Sequence, residues 1–253
     1  MLLCSAGDAV TAKIVEQMGF NGIWVSGFET SARLGLKDDG SITMTEMLNE
    51  CSKIVNSVNI PVYVDVDTGY GNFPRTVKEF ERIGVTGICV EDNLPQKTNS
   101  LFGGKQPLED SLVQCKKLVA GLEVANKLKI IARTEALIRG MGMDEAIARA
   151  NQYKLMGADY IMVHTRDTTG QEAFEIPKLF NGKLVIVPTK FPQVTTTDLY
   201  HAGYHMIIWA NHTERLKIKA VRDGLKMMLD ADCPLPVEES MSCTLNELKG
   251  LTE

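Results

Sequence analysis

Apolar positions along the chain fall into two alternating textures. Short runs dense in Val, Ile and other apolar residues recur at about 2–6, 22–27, 61–67, 86–92, 129–135, 159–164, 184–189 and 205–210. Near-continuous runs of this length suit parallel strands covered on both faces. Between them lie longer segments with apolar residues every three or four positions, as in Thr76 to Ile83, Asp144 to Met156 and Glu214 to Leu229. That spacing predicts amphipathic helices. Gly19, Gly84, Gly157 and Gly203 each stand just before a strand, at the usual stop position of a helix. The junctions even repeat a phrase, Met18-Gly-Phe-Asn-Gly and Ile83-Gly-Val-Thr-Gly, echoed by Met156-Gly-Ala-Asp and Ala202-Gly-Tyr-His.

Eight such units predict an α/β chain closed into a (β/α)8, or TIM, barrel; a doubly wound open sheet is the other arrangement the pattern permits. No linker or low-complexity stretch divides residues 1–253, so a single barrel domain is expected. The longest stretch without periodicity, at about 93–107, is rich in Lys, Gly, Asn and Pro. A loop that long inside a barrel is either floppy or a lid. The tail at about 234–253 carries Leu245, Leu248 and Leu251 at helical spacing, a pattern that could dock on a partner subunit.

Composition narrows the function. A length of 253 residues suits one barrel, and 44% hydrophobic against 23% charged residues allows a large core. The formal charge of -5 argues against nucleic-acid binding, which wants a basic stripe. An acidic protein that takes an anionic substrate must therefore concentrate positive charge locally. The 6 cysteines are far apart without a CxxC pair, and Cys89 lies within the apolar run Gly87-Ile88-Cys89-Val90. Reduced, mostly buried thiols are expected. No apolar run approaches the roughly 18 residues of a membrane span, and the start of the chain lacks signal-peptide features. No membrane partner and a cytoplasmic location are expected.

The chemistry of a barrel of this kind sits at the carboxyl ends of its strands. The third strand runs into Asp65-Val66-Asp67, where alternation sets Asp65 and Asp67 on one side. The fourth ends in Glu91-Asp92, the fifth in Arg133-Thr134-Glu135, the sixth in His164 and the second in Trp24-Val25-Ser26-Gly27. Carboxylates gathered at one mouth repel each other unless a cation joins them. Hard oxygen ligands select Mg²⁺, with Mn²⁺ as a substitute. Magnesium keeps several waters, so one of Asp65, Asp67 and Glu91 can bind directly while the others hold those waters. Arg133, closing an apolar run, must pair either with substrate or with an acid such as Glu91 or Glu135. His164, followed by Thr165-Arg166, is read as a site residue rather than a core histidine.

These residues resemble the phosphoenolpyruvate mutase branch of the isocitrate lyase superfamily, over essentially the whole chain. The motifs that carry the resemblance are Gly22-Ile23-Trp24-Val25-Ser26-Gly27, Leu34-Gly35-Leu36-Lys37-Asp38 and Asp65-Val66-Asp67-Thr68-Gly69-Tyr70-Gly71-Asn72. They continue with Glu91-Asp92, Lys97-Thr98-Asn99-Ser100, Ala132-Arg133-Thr134-Glu135-Ala136, Val187-Pro188-Thr189-Lys190 and Ile208-Trp209-Ala210-Asn211-His212. The resemblance implies an isomerase that interconverts phosphoenolpyruvate and phosphonopyruvate, and phosphonate biosynthesis as its setting. It implies Mg²⁺ bound directly by Asp65, with Asp67, Glu91 and Asp38 on its waters. Backbone N–H groups near Ser26, Gly27 and Phe28 would take the substrate carboxylate, with Trp24 lining the pocket. Arg133, His164 and Asn99 would surround the phosphoryl group, and Lys97, Asn99, Ser100 and Leu101 would ride on a gating loop. Transfer would run through a metaphosphate-like species, or through covalent attack by Asp38. The resemblance also implies a homodimer or homotetramer whose last helix is swapped between subunits. It further implies a leading helix ahead of the first strand, which here starts at the second residue.

The chain departs from the mutase pattern at Asn93, where a lysine is expected, and at Pro95-Gln96, where an aromatic-proline step is expected. Val25 stands for a common glycine. Two rival activities share the scaffold. Phosphonopyruvate hydrolysis differs in how the loop admits water, and Asn99 favours the mutase. Carbon–carbon lysis uses a catalytic cysteine in the loop, and Gln96-Lys97-Thr98-Asn99-Ser100 has none. A non-catalytic binding barrel is opposed by the full set of acids, arginine and histidine.

Overall fold

Strand and helix alternate from the second residue onward in the computed structural model, which describes residues 1–95, 98–100, 102 and 106–252. The strands are β1 (Leu2–Ser5), β2 (Gly22–Val25), β3 (Val62–Asp65), β4 (Gly87–Glu91), β5 (Lys129–Thr134), β6 (Tyr160–Val163), β7 (Leu184–Ile186) and β8 (Tyr204–Trp209). The helices are α1 (Ala9–Gln17), α2 (Gly27–Arg33), α3 (Met44–Val55), α4 (Phe73–Arg82), α5 (Ser111–Leu122) and α6 (Met143–Leu155). They continue as α7 (Gln171–Leu179), α8 (Thr196–Ala202), α9 (His212–Ala231), α10 (Leu235–Ser240) and α11 (Leu245–Gly250). Each strand pairs in parallel with its neighbour in sequence, and β1 pairs with β8 through Leu3↔Ile208. The sheet is therefore a closed barrel, and the open-sheet arrangement is ruled out.

Local chemistry starts and stops the helices where the pattern expects. Asp8 caps α1 by accepting from the Thr11 N–H, and Thr43 and Glu46 form a reciprocal capping box on α3. Gly157 follows α6 with φ +101°, a conformation that L side chains rarely adopt. Each strand ends one to three residues before the corresponding run does, and the residues left over, among them Asp67, Asp92, Glu135 and His164, lie beyond the strands at the barrel's mouth.

Alternation sorts the strand residues into two layers. Leu3, Trp24, Tyr63, Cys89, Ile131, Met162, Val185 and Ile208 pack together inside the barrel. Their sequence neighbours, such as Ile23, Val64, Ile88, Ile130 and Ile161, pack outward under the helices. Two positions beyond the inward residues of β2 to β6 come Ser26, Asp65, Glu91, Arg133 and His164. On β3 to β6 the lumen thus changes from apolar residues to Asp65, Glu91, Arg133 and His164 within two positions. Cys4, Cys51, Cys89 and Cys115 are buried free thiols, while Cys233 and Cys243 are exposed. Burial pushes the Cys4 thiol up to about 11, which keeps it protonated and inert.

The chain leaves the barrel along α9. Its first turn is tied down, since Glu29 accepts from Thr213 Oγ1 and the Glu214 N–H, and Lys217 bonds Asp8 at 2.5 Å. Further along, Leu216, Val221, Leu225 and Leu229 are 55–83% exposed. Leu245 and Leu248 of α11 are exposed as well, and Lys13 Nζ donates to the Leu251 carbonyl at 2.7 Å. Among the described residues no helix is long and apolar enough to cross a membrane.

Candidate active site

The third strand stops at Asp65, and Asp67 lies beyond it with φ +48°. Strand alternation therefore does not set the geometry of this pair, contrary to expectation. A left-handed turn does, and Asp tolerates that conformation better than most residues. The turn still brings the two acids together. The Asp67 N–H donates to Asp65 Oδ1 at 3.2 Å, and a Cβ added at Gly27 would lie 3.2 Å from Asp67 Oδ1 and 3.9 Å from Asp65 Cγ. The missing side chain of Gly27 is what lets the start of α2 approach both carboxylates. Across the next strand the Glu91 N–H donates to the Asp67 carbonyl at 2.9 Å, so Glu91 and Asp67 share one rim.

Arg133, 7% exposed, is the hub. Its Nε lies 2.5 Å from Glu135 Oε1, its Nη1 3.4 Å from Asp65 Oδ2 and its Nη2 3.2 Å from Glu91 Oε2. Nη2 also donates to Ser100 Oγ at 2.9 Å and lies 3.1 Å from His164 Nδ1. Burial opposes the guanidinium charge, but Glu135, Glu91 and Asp65 more than offset it and hold the pKa well above its ordinary value. Glu135 is the mirror case. Burial would raise its pKa, yet Arg133, then the His164 ring and hydrogen bonds from His164 and Ser100, hold it well below the usual carboxylate range. The 2.7 Å contact between His164 Nδ1 and Glu135 Oε1 orients the ring and leaves Nε2 outside that contact. Of the two pairings open to Arg133 in the sequence, the structure shows the one with acids, and Arg133 also lines the cleft above.

Charge balance tests the idea of a cation. Asp65, Asp67, Glu91, Asp92 and Glu135 are buried together with Arg133, Arg139 and Arg149. Five carboxylates against three guanidinium groups leave a negative excess, which a divalent ion would neutralise. Among the described residues no three His, Cys, Asp or Glu side chains converge closely enough to ligate one ion directly. The donor set instead fits Mg²⁺ held by one carboxylate, with further acids reaching its waters.

A cleft with about 490 Å³ of atom-free space, partly open to solvent, lies above this network. Trp24, Ser26, Phe28, Asp38, Asp65, Asn99, Ser100, Arg133 and His164 line it. Asn99 Nδ2 donates to Asp38 Oδ2 at 2.5 Å, which joins the loop to the segment after α2. Phe102 packs edge-on against Phe28 with centroids 6.2 Å apart. Lys97 and Leu101 lie outside the described residues. Val187, Thr189, Ala210 and Asn211 also line the cleft, and the sequence reading gave them no role. Applying the strand-end rule to β7 and β8 finds them, although their side chains carry no charge to draw notice. Glu135 was read as a partner for Arg133 but not as the residue that orients His164. Asn211 heads α9 without a side-chain capping bond, and its Oδ1 is buried with no hydrogen-bond partner among the described residues.

A family model described as phosphoenolpyruvate phosphomutase matches residues 1–229. The chain belongs to that family. It is 32% identical over 249 residues to the phosphoenolpyruvate phosphomutase of Tetrahymena pyriformis, covering 95% of this chain and 83% of that one. The crystal structure of phosphoenolpyruvate phosphomutase from Streptomyces platensis subsp. rosaceus superposes with a TM-score of 0.97 at 31% identity, covering 100% of this chain and 90% of that one. A phosphonopyruvate hydrolase, solved in complex with oxalate and Mg²⁺, superposes with a TM-score of 0.91 at 31% identity, covering 100% of this chain and 89% of that one. The chain is thus an enzyme of the phosphoenolpyruvate phosphomutase family, and its relatives include a second activity on the same scaffold.

Proposed function

We propose that this enzyme interconverts phosphoenolpyruvate and phosphonopyruvate. One arrangement carries the reading: Arg133 and His164 border the same cleft as Asn99, which is bonded to Asp38 at 2.5 Å. In the forward direction the bond from enol oxygen to phosphorus breaks, and its electron pair stays on oxygen. Carbon three of the resulting enolate then attacks phosphorus through its double-bond electrons while the oxygen pair restores the carbonyl, forming the P–C bond with no other reactant. A loose phosphoryl transfer needs positioning and dispersed positive charge rather than a strong nucleophile. The Arg133 guanidinium, the Nε2 side of His164 and the Asn99 amide meet the phosphoryl oxygens. Backbone N–H groups at Ser26, Gly27 and Phe28 hold the carboxylate, and Trp24 forms the wall. Mg²⁺, or Mn²⁺ in its place, would bind Asp65 directly and Asp67, Glu91 and Asp38 through water, adding charge at the substrate oxygens. Ser100 and Asn99 close over the group and exclude water, without which a metaphosphate-like species would hydrolyse.

The mode of assembly belongs to the same reading. The exposed apolar residues of α9 suit a homodimer or homotetramer that exchanges its last helix, in the cytoplasm and in a phosphonate-forming pathway.

Incubation with phosphonopyruvate and Mg²⁺, followed by phosphorus NMR, tests the activity, because phosphonopyruvate formation is the uphill direction. Phosphoenolpyruvate is the expected product. Release of pyruvate and phosphate would instead assign hydrolysis, the activity of the relative solved with oxalate and Mg²⁺. Absence of turnover with either Mg²⁺ or Mn²⁺ overturns the reading.

A further inference from the structure

Outside the residues that border the cleft lies a second buried arginine. Arg139 stands on the turn after β5, its N–H bonded to the Glu135 carbonyl at 2.9 Å, and it is 4% exposed. Its Nε and Nη2 both donate to Asn93 Oδ1, at 3.0 and 2.8 Å. Its Nη1 donates to Thr98 Oγ1 at 3.2 Å and Nη2 to the Thr98 carbonyl at 3.3 Å. Asn93, 1% exposed, turns its Nδ2 the other way and donates to Glu91 Oε1 at 2.8 Å. The amide therefore works as a polarity adapter, with its acceptor facing a cation and its donor facing an anion. Aspartate in its place would set a carboxylate against Glu91, and lysine would set an ammonium against Arg139. Only an uncharged side chain with an acceptor at one tip and a donor at the other satisfies both sides.

We infer that Arg139 and Asn93 form a positioning pair that couples the seating of Thr98–Ser100 to the orientation of the Glu91 carboxylate. Ser100 receives Arg133 at one end of this short segment, and Thr98 receives Arg139 at the other. Both arginines then lead back to Glu91, one directly and one through Asn93. Arg139 borders no part of the cleft and touches no reacting atom; it acts on Glu91 and on the loop. The metal half of this inference rests on the proposed role of Glu91 toward a divalent ion, while the loop half does not.

Two measurements on Arg139→Leu, Asn93→Leu and the double variant separate the cases. Mn²⁺ binding to the purified enzyme, followed by electron paramagnetic resonance, is expected to weaken about 10- to 100-fold in each single variant, as for residues that orient metal ligands. The double variant should bind no more weakly than the worse single one, because one path is cut once or twice. Trypsin cleavage after Lys97 should accelerate at least about fivefold in both single variants, because Thr98 loses its anchor. Mn²⁺ affinity within twofold of the parent, or additive losses, overturns the coupling. If the parent itself binds no Mn²⁺, the assignment of Glu91 to a metal falls, and the pair is judged on trypsin alone: faster cleavage supports it and an unchanged rate overturns it. Should Arg139→Leu fail to fold, Arg139→Lys replaces it, since a point charge cannot serve Asn93 and Thr98 together. The same two readouts then decide.

Discussion

Two layers of one barrel lumen lie two residues apart on β3 to β6 and behave as opposite materials. In the lower layer Trp24, Tyr63, Cys89, Ile131 and Met162 pack as a dry apolar cluster. In the upper layer Asp65, Glu91, Arg133 and His164 take the same inward direction and form a buried polar network around Arg133. Packing in the lower layer needs only shape and volume. Each member of the upper layer needs a named partner, because an unpaired buried charge costs several kcal/mol. The lower layer is therefore the floor that holds the upper one at fixed distances, and the upper one spends stability on function.

Four changes would break or sharpen this contrast. Arg133→Ala removes the hub, and turnover from phosphonopyruvate should fall about 10³-fold or more in a steady-state assay. Its melting point should also drop, and millimolar Mg²⁺ should recover part of that loss by replacing the missing cation. Glu135→Gln keeps the shape but releases both Arg133 and His164, so kcat should fall about 10²-fold with a melting-point loss smaller than that of Arg133→Ala, since Arg133 keeps Asp65 and Glu91. Met162→Ala in the lower layer should do the reverse. A cavity there costs about 2–5 kcal/mol in chemical denaturation, while kcat stays within a few-fold. Equal damage to activity from Met162→Ala and Glu135→Gln would erase the distinction between the layers.

The smallest expected effect lies at the edge of the upper layer. Burial pushes the Glu29 carboxyl up to about 7, against hydrogen bonds from Ser5 Oγ, the Glu214 N–H and Thr213 Oγ1. Between its ordinary value and about 7 the folded chain holds a proton that the unfolded chain has released. Stability should therefore fall as pH rises through that window and level off above it. Glu29→Gln keeps the acceptor oxygen and abolishes ionisation, so its stability should be flat across the window. It should exceed the parent's by on the order of 2 kcal/mol at pH 8, read by denaturation at several pH values. A parent profile that rises with pH through this window would contradict the assignment.

Much of this was legible without coordinates, for reasons that particular elements make clear. Parallel strands buried on both faces leave short apolar runs bounded by helix stops and turn residues, and all eight were found within a few residues. Arg133 and His164 drew notice because a charge closing an apolar run has nowhere to hide. Asp67 was placed correctly at the mouth but for the wrong reason, since a left-handed turn rather than a pleat orients it. Asn211 and Thr189 escaped because neutral side chains at strand ends carry no charge to mark them. Arg139 escaped because a lone arginine in a turn after β5 reads as solvated surface.

What the chain's own order determined was period and position: which segments are strands, how many there are, and which ionisable residues cap them. Those properties are local, set by alternation and burial along a few residues. The tertiary structure decided most of who pairs with whom. Arg133 reaches Asp65 and Glu91, Asn93 meets Arg139, and Glu135 meets His164, because barrel closure and loop path bring distant side chains within bonding distance. Pairing depends on placing atoms within about 3 Å of one another between residues dozens of positions apart, and no spacing in a linear chain encodes that.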